Sequence, residues 1–149
     1  MAPRKKRSKP MRADGRNDGE QWIPIGYRMA QSSAWRSLSG PAVKVWIELR
    51  SRYNGSNNGR LHLSMGEACR LVGIGKSTAQ RAFQELEQKG FIVKVRPGYF
   101  YGRMATEYAV TDRPVNGHNA TCDWKRWNSK TQRLNERPKQ NRGPDTEHK

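Results

Sequence analysis

Between residues 76 and 89 the chain sets out side chains able to make directional hydrogen bonds to the edges of nucleic-acid bases. Lys76, Ser77, Thr78, Gln80, Arg81, Gln84 and Gln88 fall there, and no Asp lies between 76 and 84. At about 100° per residue, Ala79, Ala82, Phe83 and Leu86 gather on one face of a helix. Ser77, Gln80, Arg81, Gln84 and Gln88 gather on the opposite face. Arginine favours guanine, glutamine favours adenine, and serine accepts either kind of partner. Lys76 and Ser77 open the helix, where free backbone amides and the helix dipole favour a phosphate. Taken alone, such a helix is more often a solvated face over a core, so its surroundings decide between the two readings.

Other candidate chemistries are weaker. Gly73-Ile74-Gly75-Lys76-Ser77-Thr78 invites a phosphate-loop reading, but Arg70 stands where the first glycine of that pattern belongs. A helix, not a strand, is also expected ahead of it. His62, His118 and His148 are scattered, and His118, Cys122 and Asp123 make a poor metal set in a polar segment. Cys69 reads as a small buried hydrophobe. Glu85 and Glu87 read as surface charges of the helix. No catalytic set, metal site or cofactor is expected, and the chain is read as a binding protein rather than an enzyme.

The elements that must position the helix can be followed along the chain. Residues 1–20 have almost no apolar side chains and are expected to form a disordered basic arm, with Arg4, Lys5, Lys6, Arg7 and Lys9 as its charge run. Such a run suits nucleic-acid contact, nuclear import or simple solubility. The apolar residues concentrate from Trp22 to Val110. Pro24 holds an extended entry segment, and Ser39-Gly40-Pro41 reads as a helix start. Ala42, Val45, Trp46, Leu49 and Tyr53 follow at helical spacing, and Asn54–Gly59 ends that helix. Leu61-His62-Leu63 predicts a short strand. Ser64 with Glu67 three residues on is a capping box for a second helix. Gly73-Ile74-Gly75 breaks it, with Ile74 as an apolar plug, and Gly90 ends the next helix. Phe91–Val95 and Thr106–Thr111 have strand composition around a loop of about ten residues, which predicts a hairpin.

Helix, short strand, helix, tight turn, helix and hairpin is the order of a winged helix-turn-helix. The expected class is mainly α with a β-hairpin (α+β). The domain is placed at residues 21–111, between the arm at 1–20 and a polar, largely disordered tail at 112–149. Arg96 and Arg103 flank the wing loop and can hold phosphate or enter a minor groove. Tyr99 and Phe100, between them, are expected to pack the wing onto the body or a partner subunit, with Tyr101 left open. Trp124 and Trp127 can dock back on the domain, without an assigned role.

Charge weighs in the same direction. Twenty-nine Lys and Arg against 13 Asp and Glu give a net charge of +16 over 149 residues. Phosphate neutralisation with counterion release explains such an excess better than solubility does. No apolar run reaches membrane-spanning length, and two distant cysteines fit a reduced intracellular compartment.

The stretch VGIGKSTAQRAFQELEQKGFI resembles the recognition segment of bacterial winged-helix regulators, including GntR-like and MarR-like groups. WRSLSGPAVKVWIELRSRYNG and ATEYAVTD resemble small phage and bacterial proteins akin to the N-terminal DNA-binding domain of phage replication proteins. One departure is Gly75, where those recognition helices usually carry Ser or Thr as N-cap. The resemblance implies double-stranded DNA as partner. Transcriptional regulation is the first role, and a replication or partition accessory of a phage or plasmid is the alternative. RNA or a membrane surface is the partner from another class. A second copy of the chain and a protein held by the tail are further candidate partners. The expected location is the cytoplasm, at the nucleoid. Deleting residues 1–12 is expected to weaken duplex binding generally and to flatten the dependence of log affinity on log salt. Titrations at several ionic strengths check this, and an unchanged slope removes the arm from the interface.

Overall fold

The computed structural model describes residues 21–99, 101–102 and 104–130. The arm residues Arg4, Lys5, Lys6, Arg7 and Lys9, the wing-loop residues Phe100 and Arg103, and the chain after Lys130 lie outside the described residues. An extended entry leads into two single-turn helices, α1 (Tyr27–Ala30) and α2 (Ser33–Arg36). Ser32 caps α2 by accepting the Trp35 N–H at 3.1 Å. Helix α3 (Gly40–Ser51) starts where Ser39 and Pro41 predict, with the Ser39 hydroxyl accepting from the Ala42 N–H. Strand β1 (Leu61–His62) precedes α4 (Met65–Val72), capped by Ser64 through the Glu67 N–H at 3.1 Å. Helix α5 (Lys76–Gln88) then leads to β2 (Ile92–Arg96) and β3 (Glu107–Val110).

The three strands form one antiparallel sheet in the order β1-β3-β2. Leu61 pairs with Tyr108, and Ile92 with Val110, so these four buried side chains share the face turned to the helices, while Ala109, also buried, lies on the other face. A register shift between Lys94 and Arg96 bends the hairpin where it leaves the body. The architecture is a winged helix-turn-helix: α3, α4 and α5 with a small sheet whose β2–β3 hairpin is the wing. Strand β2 begins one residue later than its composition suggests. The Phe91 N–H is already committed to the Leu86 carbonyl at 2.9 Å, closing α5. Among the described residues no helix is long and apolar enough to cross a membrane.

The core is built around aromatic rings. Trp46 is fully buried, and Trp35 meets it edge-on at 5.1 Å. Trp35 also meets Phe91 edge-on at 5.6 Å, and Phe91 stacks on Trp124 at 6.4 Å. The domain therefore continues past residue 111, where its end was expected. The Cys122 N–H donates to the Thr111 carbonyl at 2.9 Å, and a 3-10 turn at Asp123–Arg126 seats Trp124 in the core, 6% exposed. Asp112 pairs with the buried Arg50 at 3.0 Å. The physical reason is that two tryptophans bury enough area to order a segment whose composition is otherwise polar. Asn58, in the loop after α3, is likewise buried. Its side-chain oxygen accepts from the Val110 N–H and its amide donates to the Val110 carbonyl, both at 2.8 Å.

Gly90 joins α5 to the wing and has no substitute. Its φ of +76° is left-handed, and its N–H donates to the Glu87 carbonyl while that of Phe91 reaches Leu86. A Cβ there would lie 2.7 Å from the Asp123 carbonyl carbon and 2.8 Å from the Trp124 nitrogen. Gly90→Ala is therefore expected to destabilise the domain by more than the ~1–2 kcal/mol of the left-handed backbone alone. Urea unfolding followed by tryptophan emission checks this, because Trp124 must move to admit the methyl group. A loss under ~0.5 kcal/mol would contradict the packing described.

Candidate nucleic-acid interface

The helix-turn-helix is closed by local backbone chemistry. Gly73 takes the left-handed conformation (φ 70°, ψ 42°), and the N–H groups of Gly73 and Ile74 both donate to the Cys69 carbonyl. Ile74 packs, half-buried, against the core as the plug its position suggests. Gly75 then occupies the N-cap of α5 with no side-chain hydrogen bond to the helix. Its absence leaves the first amides of α5 without a capping side chain.

Helix α5 buries Ala79, Ala82, Phe83 and Leu86. Lys76, Ser77, Gln80, Arg81 and Gln84 are exposed together on the other side, and Thr78 is half-buried at the flank. The candidate contact residues of the helix are thus brought to one surface, with Thr78 at its margin. Among the described residues Gln80, Arg81 and Gln84 carry no side-chain hydrogen bond or ion pair.

The two carboxylates of α5 are occupied elsewhere. Glu85 accepts the Ser39 N–H at 3.0 Å, the Ser39 hydroxyl at 2.6 Å and the Lys89 ammonium at 2.7 Å. Lys89, only 6% exposed, also donates to the Ser37 carbonyl at 2.7 Å and sits 5.2 Å over the Trp127 ring. Burial pushes the Glu85 carboxyl up, but the hydrogen bonds from Lys89 and Ser39 outweigh it and hold the group below its ordinary value. Glu87 pairs with Lys94 of β2 at 3.3 Å. Glu85 thus ties α5 to the start of α3, and Glu87 ties it to the wing. Reading Glu85 as a plain surface charge missed this, because Ser39 lies 46 residues away.

A second cluster fixes α4. Arg52 donates to the Glu67 carboxylate and to the His62 carbonyl, each at 2.8 Å. That Arg52 hydrogen bond is the main reason the Glu67 carboxyl lies below its ordinary value, against a smaller upward pull from burial. Tyr108 of β3 stacks on Phe83 of α5 at 5.2 Å. Burial first, and then the charge of Glu87, push its phenol up to about 12. The ring therefore stays neutral where the sheet meets the helix.

The wing stem is tightly closed. The Gly98 N–H donates to the Thr106 hydroxyl at 3.1 Å, and a Cβ at Gly98 would lie 2.6 Å from the Met104 carbonyl oxygen. Tyr99 and Met104 exchange backbone hydrogen bonds at 3.1 and 3.3 Å. Arg96 is exposed, with a loose 3.7 Å approach to Glu107. Tyr99 is 62% exposed and does not pack on the body, one of the two placements expected for it; it lies past the end of β2 in an isolated bridge to Met104. Among the described residues no group of three or more His, Cys, Asp and Glu could hold a metal ion, so His118, Cys122 and Asp123 do not converge as ligands.

Residues 36–92 match a family model described as a helix-turn-helix domain. The match runs from the end of α2 through α3, α4 and α5 to the first residue of β2, and it supports DNA binding. It does not separate GntR-like, MarR-like and phage groups. Comparisons with curated proteins and with solved structures return no match.

The Glu85 cluster gives a signed expectation. A carboxyl whose folded value is lowered contributes stability that is present above its unfolded value of about 4.5 and lost as pH falls through the folded value. Glu85→Gln should destabilise the domain at pH 7 by about 1–3 kcal/mol, since it unbalances the buried Lys89. The gap between wild type and variant should narrow below about pH 4.5. Denaturant unfolding of both proteins over this range checks it, and a gap independent of pH would refute the ionic role of Glu85.

Proposed function

We propose that the protein binds double-stranded DNA, with the N-terminal half of α5 in the major groove and the β2–β3 hairpin as a wing on the adjacent backbone, and that it regulates transcription. The observation that carries this reading is the exposed face of α5. Lys76, Ser77, Gln80, Arg81 and Gln84 stand there without side-chain partners among the described residues, while Glu85 and Glu87 are held away by Ser39, Lys89 and Lys94. Such a face repels no phosphate and offers donors and acceptors at the depth where a major groove presents base edges. The net charge of +16 supplies the non-specific attraction. Arg96 and Arg103 of the wing, and Arg4, Lys5, Lys6, Arg7 and Lys9 of the arm, are assigned backbone contacts in this reading. Thr78, at the flank of α5, is assigned a phosphate and not a base.

In this reading the chain works at the nucleoid as a binding protein and not as an enzyme. A palindromic preferred site would call for two copies related by a two-fold axis. The segment after the 3-10 turn is then the place for a protein partner.

The test is a titration of fluorescent duplex DNA across ionic strengths, with RNA and anionic vesicles as competitors. Duplex should compete best, and log affinity should fall steeply with log salt. Lys76→Ala should weaken all duplexes about equally and reduce the salt slope by about one, as loss of a single phosphate contact does. Stronger competition by RNA or by vesicles would overturn the assignment.

A further inference from the structure

We infer that α5 selects a short core containing two A·T pairs and one G·C pair, read by Gln80, Gln84 and Arg81. This rests on the duplex-binding reading above and names the class of site that it prefers. At about 100° per residue, Gln80, Gln84, Ser77 and Arg81 share an arc of about 100°, and the exposed Lys76 lies about 40° beyond its Gln80 edge. Gln80 lies at one edge and Arg81 at the other, about 100° apart, with Gln84 and Ser77 between them and within about 20° of each other. A helix lying in the major groove turns the two edges of such an arc toward opposite strands. Gln80 and Arg81 therefore address bases on different strands, and Gln84 addresses the floor of the groove one turn further on.

Spacing agrees with a short core. Gln80 and Gln84 are separated by about 6 Å along the helix axis. That is close to two base-pair steps of about 3.4 Å. Each glutamine presents the donor and acceptor pair that matches adenine N7 and N6, and Arg81 presents the fork that matches guanine O6 and N7. Cytosine is read directly by carboxylates accepting from its N4 amino group. Both carboxylates of α5 are occupied: Glu85 by Ser39 and Lys89, and Glu87 by Lys94. Direct selection on this helix is then limited to adenine and guanine. Gln88 shares the exposed side but sits in the last turn, next to the Lys89 anchor, a further turn from the capping end that enters the groove. Ser77 faces the middle of the arc with a short, permissive hydroxyl and adds contact without choosing a base.

The test is selection from a random duplex pool at about 0.15 M salt, where weak electrostatic binding is already suppressed. The winning duplex is then titrated with wild type and variants. The expected winner has two A·T pairs about two steps apart and a G·C pair whose guanine lies on the strand opposite the adenine read by Gln80. Gln80→Ala, Gln84→Ala and Arg81→Ala should each weaken it roughly 5- to 100-fold, the range for one lost bidentate base contact. Each should change affinity for random duplex far less. Replacing one selected adenine by 7-deazaadenine removes the N7 acceptor without touching the protein. It should weaken wild type, and it should leave the matching glutamine variant unchanged. A core of G·C pairs only, or a winner bound equally by wild type and all three variants, overturns the inference while tight, salt-dependent duplex binding leaves the broader reading in place. Failure to bind any duplex removes both.

Discussion

The arrangement depends on the stack of rings where α5 ends and the wing begins. Three consecutive residues meet there. Lys89 is neutralised by Glu85 and covered by Trp127, Gly90 takes the left-handed turn under Asp123 and Trp124, and Phe91 lies between Trp35 and Trp124. The three residues are tied to the two flanks of the domain: Lys89 and Phe91 to α2 and its cap through Ser37 and Trp35, and all three to the C-terminal segment through Trp127, Asp123 and Trp124. The angle between α5 and the hairpin is thereby set by contacts from both ends of the domain and not by the turn alone. A small domain with a modest core gains most from such shared burial, since one ring serves several elements at once.

The same junction explains how charge is distributed on α5. In the proposed reading α5 faces phosphate, and such a helix gains nothing from carboxylates on its contact side. Yet Glu85 and Glu87 are present, and both are turned to structural use. Glu85 gathers three donors, two of them from Ser39 at the start of α3, so one carboxylate both supports a helix cap and neutralises a buried ammonium. Breaking such a buried pair costs more than forming it contributes, because the surviving charge is left without water. The cluster therefore acts as a geometric pin between α3 and α5. It leaves the N-terminal half of the helix with cationic and neutral polar groups alone.

What could be read from the sequence was whatever is encoded locally. Ser39 with Pro41, Ser64 with Glu67, and the glycines at 73 and 90 announce helix ends through the backbone they cap, and the structure has its helix boundaries there. The buried face of α5 follows from its 3.6-residue period, and Ile74 follows from its place between two glycines. Contacts between distant residues left no such trace. Asn58 in a loop full of turn formers gives no hint that it bonds Val110 across 52 residues. Glu85 reads as any helical glutamate until Ser39 is brought to it. Trp124 and Trp127 stand out as residue types, but the polar chain around them hides that Trp124 joins the core beyond the composition boundary at 111. Tyr99 shows the converse: aromatic character suggests burial, whereas the isolated bridge that carries it, past the end of β2, leaves it 62% exposed on the single chain.

The ring junction also sets the optical character of the protein. Of five tryptophans, Trp35, Trp46, Trp124 and Trp127 belong to the junction or its cover, and none lies on the exposed face of α5. The near-perpendicular Trp35–Trp46 pair, 5.1 Å apart, holds both rings in a fixed asymmetric setting, the condition for a near-ultraviolet dichroism that is lost with tertiary packing. Apart from the exposed Trp22, intrinsic emission from this chain is consequently a gauge of whether the helix-to-wing joint is intact, and no tryptophan stands on the exposed face of α5 to report what touches it.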